Sequence, residues 1–350
     1  MQSVLYVGTK NGVTTFRRSH PDGEWTSVDA NMPACSVSEI AFNPERPNVA
    51  YAATTGSGIF KTEDFGDTWS KPNYARRGPG NIRCLTIDPT NPERLLAGCE
   101  PIDVFVSEDS GKTWELMKGL WDNSIVPAVD FGGSPVAEPH VRDIAIDVHN
   151  SDVMYLALQV ASIVKTTDGG KSWTHITDEI DRDVHTFDID PNDSDHIVIA
   201  TGGHDSRQGN VKGKAFYTTY DAGETWKPLA MNFAQDYSLP LVPKPGSPEV
   251  LYASLAFSTP GAWRRRPEGA NGIMIKSKDN GETWDELNLT NIPNHSLSMV
   301  TAVSVDNGQP TSVVAGFASG TMITSDDDGD SWEVISPKVS GLSDLKFAIF

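Results

Sequence analysis

Thr62-Glu63-Asp64-Phe65-Gly66-Asp67-Thr68-Trp69 has five close copies further along the chain. They run from Ser107 to Trp114, Thr166 to Trp173, Thr219 to Trp226, Ser277 to Trp284 and Ser325 to Trp332. The shared pattern is Ser/Thr-x-Asp-x-Gly-x-Thr/Ser-Trp, and Ser19 to Trp25 is a shortened, degenerate copy. Each copy follows an apolar stretch, which is the reading of a β-hairpin tip. The Asp and hydroxyl side chains satisfy turn backbone, glycine supplies a positive φ, and tryptophan packs beneath.

Working outward, a second signature precedes each tip. Asn43-Pro44, Asp88-Pro89, Asp147-Val148, Asp190-Pro191, Lys244-Pro245 and Asp306-Asn307 each stand at a turn between two apolar stretches. Asp followed by Pro suits the first two positions of a type I turn. From turn to Trp the distance is constant in four copies. The copies that begin at Asp190 and Lys244 are longer, with the extra residues between the second and third strands. Such four-strand units, repeated along the chain, predict an all-β, seven-bladed β-propeller of antiparallel blades. The C-terminal Leu342-Ser343-Asp344-Leu345-Lys346-Phe347 resembles the first strand of other repeats, Val37-Ser38-Glu39-Ile40-Ala41-Phe42 for one. It is therefore expected to complete the N-terminal blade and remove an open sheet edge. The expected blades are 3–28 with 342–349, then 36–72, 81–117, 140–176, 183–229, 236–287 and 298–335, in a single domain spanning 1–350.

The tips resemble the Asp-box, or bacterial neuraminidase repeat. The whole chain is similar to the propeller superfamily that carries it, which includes sialidases, xyloglucanases, sortilin-type receptors and the photosystem II assembly factor. The resemblance implies the fold and leaves the activity open, because the box is a structural hairpin. A sialidase would need three arginines on a carboxylate, a Tyr nucleophile paired with Glu, and an Asp acid/base, usually on six blades. Here there are seven blades, and Arg17 and Arg18 lie on the strand that leads into the degenerate tip.

The 350 residues carry a net charge of −19, which argues against a nucleic-acid surface. No apolar run approaches the length of a membrane span, and Met1-Gln2-Ser3-Val4-Leu5 reads straight into a strand rather than a leader. Cys35, Cys84 and Cys99 show no metal spacing, which suits a reducing compartment and a cytoplasmic location.

The extra length lies on one face of the expected propeller, opposite the tips. It comprises the segment from Trp114 to His140, the insertion around Gly202 to Asn210, and the insertion Ser258 to Arg266. Long loops on a rigid scaffold are the usual seat of function. Counting back five residues from each turn gives Ser38, Arg83, Arg142, His185, Leu239 and Thr301, with Ser343 by the closure argument. These positions are expected at the mouth of a central channel. Arg83, Arg142 and His185 thus form an arc suited to carboxylate, phosphate or sulfate. His140 and Asp183 share the position two residues earlier.

The leading reading is a hydrolase or lyase acting on an anionic or oxygen-rich small molecule, an acidic sugar or a lactone. His185 would move a proton, helped by Glu138, Asp183 or Asp205. Arg83, Arg142, His140, His204, Trp121 and Trp263 would bind the substrate. Glu100, Asp122, Asp143 and Asp236 are further candidate carboxylates. No cofactor is expected, although His140, His185 and His204 are a conceivable set for a divalent metal. The alternative is a non-catalytic propeller that binds a protein partner, with Arg264-Arg265-Arg266 as a basic lid.

Overall fold

The computed structural model describes residues 2–20, 23–28, 31–43, 46–71, 78–122, 139–177, 179–306, 308 and 310–350. Short antiparallel strands account for nearly all of its regular structure. The first three sheets in chain order use β1 (Ser3–Thr9), β2 (Gly12–Arg18) and β3 (Thr26–Val28); β4 (Val37–Phe42), β5 (Ala50–Thr54) and β6 (Gly58–Thr62); and β7 (Ile82–Asp88), β8 (Asn91–Cys99), β9 (Val104–Ser107) and β10 (Glu115–Leu116). A short helix, α1 (Gly119–Asp122), follows. The next two use β11 (Val141–Ile146), β12 (Met154–Leu158), β13 (Ile163–Thr166) and β14 (Thr174–Ile176), then β15 (Val184–Ile189), β16 (Ile197–Thr201), β17 (Phe216–Thr219) and β18 (Lys227–Pro228). The sixth has β19 (Tyr237–Lys244) and β20 (Ser247–Ala256), the helical turn α2 (Pro260–Trp263), and then β21 (Ile273–Ser277) and β22 (Asp285–Glu286). The seventh has β23 (Val300–Val305), β24 (Val313–Phe317), β25 (Met322–Ser325) and β26 (Glu333–Ile335).

The last strand, β27 (Leu342–Ile349), pairs antiparallel with β1, so the first sheet runs β27-β1-β2-β3. The chain is a seven-bladed β-propeller whose first blade is completed by its C-terminal strand, as the repeat count led us to expect. The second blade departs slightly. Its fourth strand is reduced to a bridge between Lys61 and Ser70, leaving a three-stranded sheet.

Contacts gather into two compact units, residues 1–72 with 239–350 and residues 73–238. Cores form where neighbouring sheets within a unit face each other. In the second unit, Leu96, Val104, Val141, Ile144 and Leu156 are buried together. In the first, Leu5, Val7 and Phe16 pack with Leu345 and Phe347 of the closing strand.

The hairpin tips follow the sequence reading closely. In the tip at Asp168, the Thr166 hydroxyl donates to Asp168 Oδ1 (2.8 Å) and accepts from Gly170 N (3.0 Å). The other carboxylate oxygen accepts from the Ser172 hydroxyl, and Trp173 Nε1 donates to the Gly170 carbonyl at 3.2 Å. The residue before the conserved glycine also takes a positive φ, at Phe65, Ser110, Ala222, Asn280 and Asp328 as well as at Gly169. The motif does not reveal this, because no single residue type marks the position. The upstream turns are closed by their aspartates, since Asp88, Asp147, Asp190 and Asp306 each accept the N–H two residues on, at 2.8–2.9 Å.

Candidate functional site

Six of the seven positions obtained by counting back from the turns share one local device. The pairing of the innermost strand slips at Val37/Glu39, Ile82/Cys84, Val141/Asp143, Val184/Thr186 and Val300/Ala302, and opposite Gly8/Thr9 in β27. Ser38, Arg83, Arg142, His185, Thr301 and Ser343 are therefore the extra residues of β-bulges. A bulge re-aims its side chain away from the regular pleat, which is why bulges recur beside functional sites.

A second repeat-wide contact sets what each bulge side chain meets. The residue after the second strand donates its N–H to a carbonyl just before the innermost strand: Glu100 to Asn81, Gln159 to His140 and Gly202 to Asp183, at 2.8–3.0 Å. That places Glu100, Gln159 and Gly202 beside Arg83, Arg142 and His185. Arg83 Nε lies 3.5 Å from Glu100 Oε2, and Arg142 Nε donates to Gln159 Oε1. In the fifth blade glycine leaves room instead. A Cβ on Gly202 would fall 2.0 Å from Asp183 Oδ2 and 2.8 Å from His185 Cε1.

Asp183 and His185 form a buried couple. His185 Nε2 stands 3.3 Å from Asp183 Oδ1, an ion-pair distance with hydrogen-bond alignment that is poor. Its Nδ1 faces the Ser238 carbonyl, and since a carbonyl only accepts, Nδ1 carries hydrogen there. Burial pushes the Asp183 carboxyl up, but His185, Arg142 and His204 more than offset this and hold it well below the usual carboxylate range. Tyr237 lies edge-on to the His185 ring with centroids 5.1 Å apart. Burial pushes its hydroxyl up to about 12 although Arg142 bonds to it.

The first insertion is organised by a residue outside the expected site. Fully buried Asp181 accepts four backbone N–H groups, from Asp183, His204, Asp205 and Ser206, at 2.8–3.0 Å. Asp205 takes a structural place next to it. It accepts from Arg182 Nε at 2.9 Å and from Arg182 N at 3.0 Å, and despite burial these bonds lower its carboxyl. His204 is half-buried, with Nε2 3.2 Å from the Gln208 amide nitrogen.

Towards the other end of the arc, Glu100 Oε2 also lies 3.7 Å from Nδ1 of buried His140. Trp121 is 41% exposed, and its indole N–H is fixed by Asp103 Oδ1 at 2.9 Å. Asp103 lies on the β8–β9 loop that also carries Glu100. Trp263 belongs to the first unit, half-buried, and donates to the Phe257 carbonyl. Glu138 lies outside the described residues.

The structure thus gathers Arg83, Arg142, His140, Asp183, His185, His204 and Asp205 in the second unit. Among the described residues no group of three His, Cys, Asp or Glu side chains is arranged to hold a metal. Sequence reasoning missed Gln159, Arg182 and Tyr237. A signal for Tyr237 existed: it stands two residues before Leu239, as His140 and Asp183 stand before Arg142 and His185.

With fold and site in view, comparisons with known proteins place the chain among β-propellers. The family model described as sortilin, neurotensin receptor 3, matches residues 102–239. A probable oligoxyloglucan-reducing end-specific xyloglucanase of Neosartorya fischeri is 24% identical over 263 residues, 65% of this chain and 31% of that protein. The photosystem II assembly lipoprotein Ycf48 of a Synechococcus species is 26% identical over 226 residues, 64% of this chain and 58% of that one. Among solved structures, the GH74 xyloglucanase of Xanthomonas campestris superimposes with a TM-score of 0.65 at 16% identity, covering 98% of this chain and 52% of that one. Ycf48 bound to D1 peptide gives a TM-score of 0.55 at 15% identity, covering 86% of this chain and 80% of that one. The chain spans less than a third of the curated xyloglucanase.

Proposed function

We propose that this chain is a binding propeller that holds an extended peptide segment of a protein partner, with a carboxylate of that segment received by Arg83 and Arg142. The observation that carries this reading is that the described proton-transfer candidates are committed inside the protein. Asp183 and Asp205 are held ionised by cationic neighbours. Both nitrogens of His185 face protein acceptors. A general acid for glycoside cleavage needs a carboxyl that keeps its proton near neutral pH, and a general base needs a lone pair facing the substrate.

Arg83 supports the binding role differently. Its side chain is 37% exposed, and only Nε approaches a described partner. A part-exposed guanidinium fork at a bulge suits a carboxylate. The Ycf48 structure with bound D1 peptide shows this fold carrying a peptide in a similar protein. A cytoplasmic location belongs to the same proposal and agrees with three free cysteines.

The hydrolase reading draws on one observation, the likeness to xyloglucanases. It has half-exposed Glu100 between Arg83 and His140 as its best acid. One experiment separates the two. Peptides selected from a displayed random library are titrated against the purified chain, and the chain is incubated with xyloglucan oligosaccharides. Binding is expected to weaken by roughly ten- to a hundredfold in Arg83→Ala, the equivalent of about 1.5–3 kcal/mol for a hydrogen bond to a charged group. Reducing-sugar release that is lost in Glu100→Gln would overturn the binding reading.

A further inference from the structure

The second insertion, in the first unit, is a built feature that this reading does not use. Residues 258–271 wind through successive tight turns: Ala262 N to Thr259 O, Arg265 N to Ala262 O, Arg266 N to Trp263 O and Gly269 N to Arg266 O, at 2.9–3.2 Å. The Trp263 indole donates to the Phe257 carbonyl at 2.9 Å, and the Arg266 guanidinium lies 4.0 Å over the Phe257 ring. The base is stitched to the following segment, with Ala270 N bonded to Leu297 O and Gly272 N to Ser296 O. Gly269 is required at that junction, because it has φ +60 and a Cβ there would lie 2.3 Å from Leu297 O.

This scaffold displays Arg264 and Arg265 exposed. Among the described residues, neither guanidinium has a hydrogen bond or an ion pair. Arg266 is the arginine held against the loop, where it also lies 3.9 Å from Glu268. The loop backbone is therefore folded on its own contacts, and it carries two exposed cations on a chain of net charge −19. Leu297, on the segment stitched to the loop base, is 48% exposed.

We infer that Arg264 and Arg265, with Leu297 beside their loop, form a docking knob for an acidic segment of a partner protein that also carries an apolar side chain. Two planar forks fit two carboxylates bidentately. A nucleic acid or an anionic membrane needs a larger basic surface than two arginines, whereas a short acidic segment is matched by two. The site is independent of Arg83 and Arg142, so the two readings fail separately.

The test uses the full chain and a fluorescent dodecapeptide of alternating Glu and Ser with one central Leu. A Gln-for-Glu peptide and a single-stranded oligothymidine serve as controls, and anisotropy is read at low and at physiological salt. Binding of the Glu peptide alone is expected, weakened at least fivefold in Arg264→Gln/Arg265→Gln and unchanged in Lys112→Gln, which removes an exposed cation outside both sites. Leu297→Ala should weaken it by a smaller factor. The double variant should keep the parent melting midpoint, because both side chains are exposed. No binding at millimolar peptide, equal binding of the Gln peptide, preference for the oligothymidine, or an unaffected double variant would each overturn the proposal.

Discussion

Asp188 and Asp183 lie five residues apart in one stretch of chain and titrate in opposite directions. Asp183 is buried beside His185 and Arg142, and these positive neighbours outweigh desolvation. Asp188 is equally buried, but the charge acting on it is that of Asp190, so burial and like-charge repulsion push its carboxyl up to about 7. The sign of its contribution follows. An unfolded Asp ionises near pH 4, whereas Asp188 in the folded chain keeps its proton until about pH 7, so stability falls as pH rises through that window. Asp188→Asn is expected to raise the thermal midpoint at pH 8 and to leave it nearly unchanged at pH 4, which calorimetry at the two pH values would check. A midpoint at pH 8 equal to that of the parent would show that the buried carboxyl costs nothing. Neither behaviour is legible in the motif Asp-Val-His-Thr-Phe-Asp, because both depend on which charges the fold places nearby.

At the scale of the element, the hairpin tips are acid-sensitive clasps. The hydroxyl and backbone bonds within each tip lower the Asp carboxyl, to about 2 at Asp168 and Asp221. A depressed folded pKa contributes stability above the unfolded value near 4, lost as pH falls towards 2. With the same arrangement at Asp64, Asp109, Asp279 and Asp327, the melting midpoint is expected to drop steeply across that interval. Thr166→Val tests a clasp without changing side-chain shape. It leaves the Gly170 N–H without its acceptor, at a cost of about 1–3 kcal/mol in denaturant unfolding. The tip was readable in advance because every bond in it is local, within eight residues. The bulge that turns Arg83, Arg142 and His185 was not, because a bulge is a relation between two strands. The count from the turns reached the right residues only because the repeats hold their lengths so closely.

For the whole molecule, the closing strand matters most. Leu345 and Phe347 are buried against Leu5 and Val7, and the backbone of β27 pairs along the full length of β1. Losing two such side chains costs roughly 2–5 kcal/mol each before the lost pairing is counted, against a typical net stability of about 5–15 kcal/mol. A chain truncated after residue 340 should therefore be insoluble or largely unfolded by circular dichroism. A synthetic peptide of residues 341–350, added during refolding, should restore soluble protein. A truncated chain that melts like the parent would mean that the first blade does not need its last strand.

The blade count, the hairpin tips, the strand that completes the first blade and the positions from which a site is built are all legible in the order of residues alone. Hydrophobic alternation and turn chemistry are written in neighbouring residues and repeated often enough to be read without ambiguity. What each of those positions meets depends on folding. It set Glu100 against Arg83, Gln159 against Arg142 and Asp183 against His185, drew the first insertion around Asp181, and folded the second on Phe257 and Trp263. The Glu100–Arg83 and Gln159–Arg142 pairings join residues from different strands and loops. Whether a carboxylate is a proton donor or a fixed counter-ion depends on desolvation and on charges that folding brings near, and sequence spacing does not encode either.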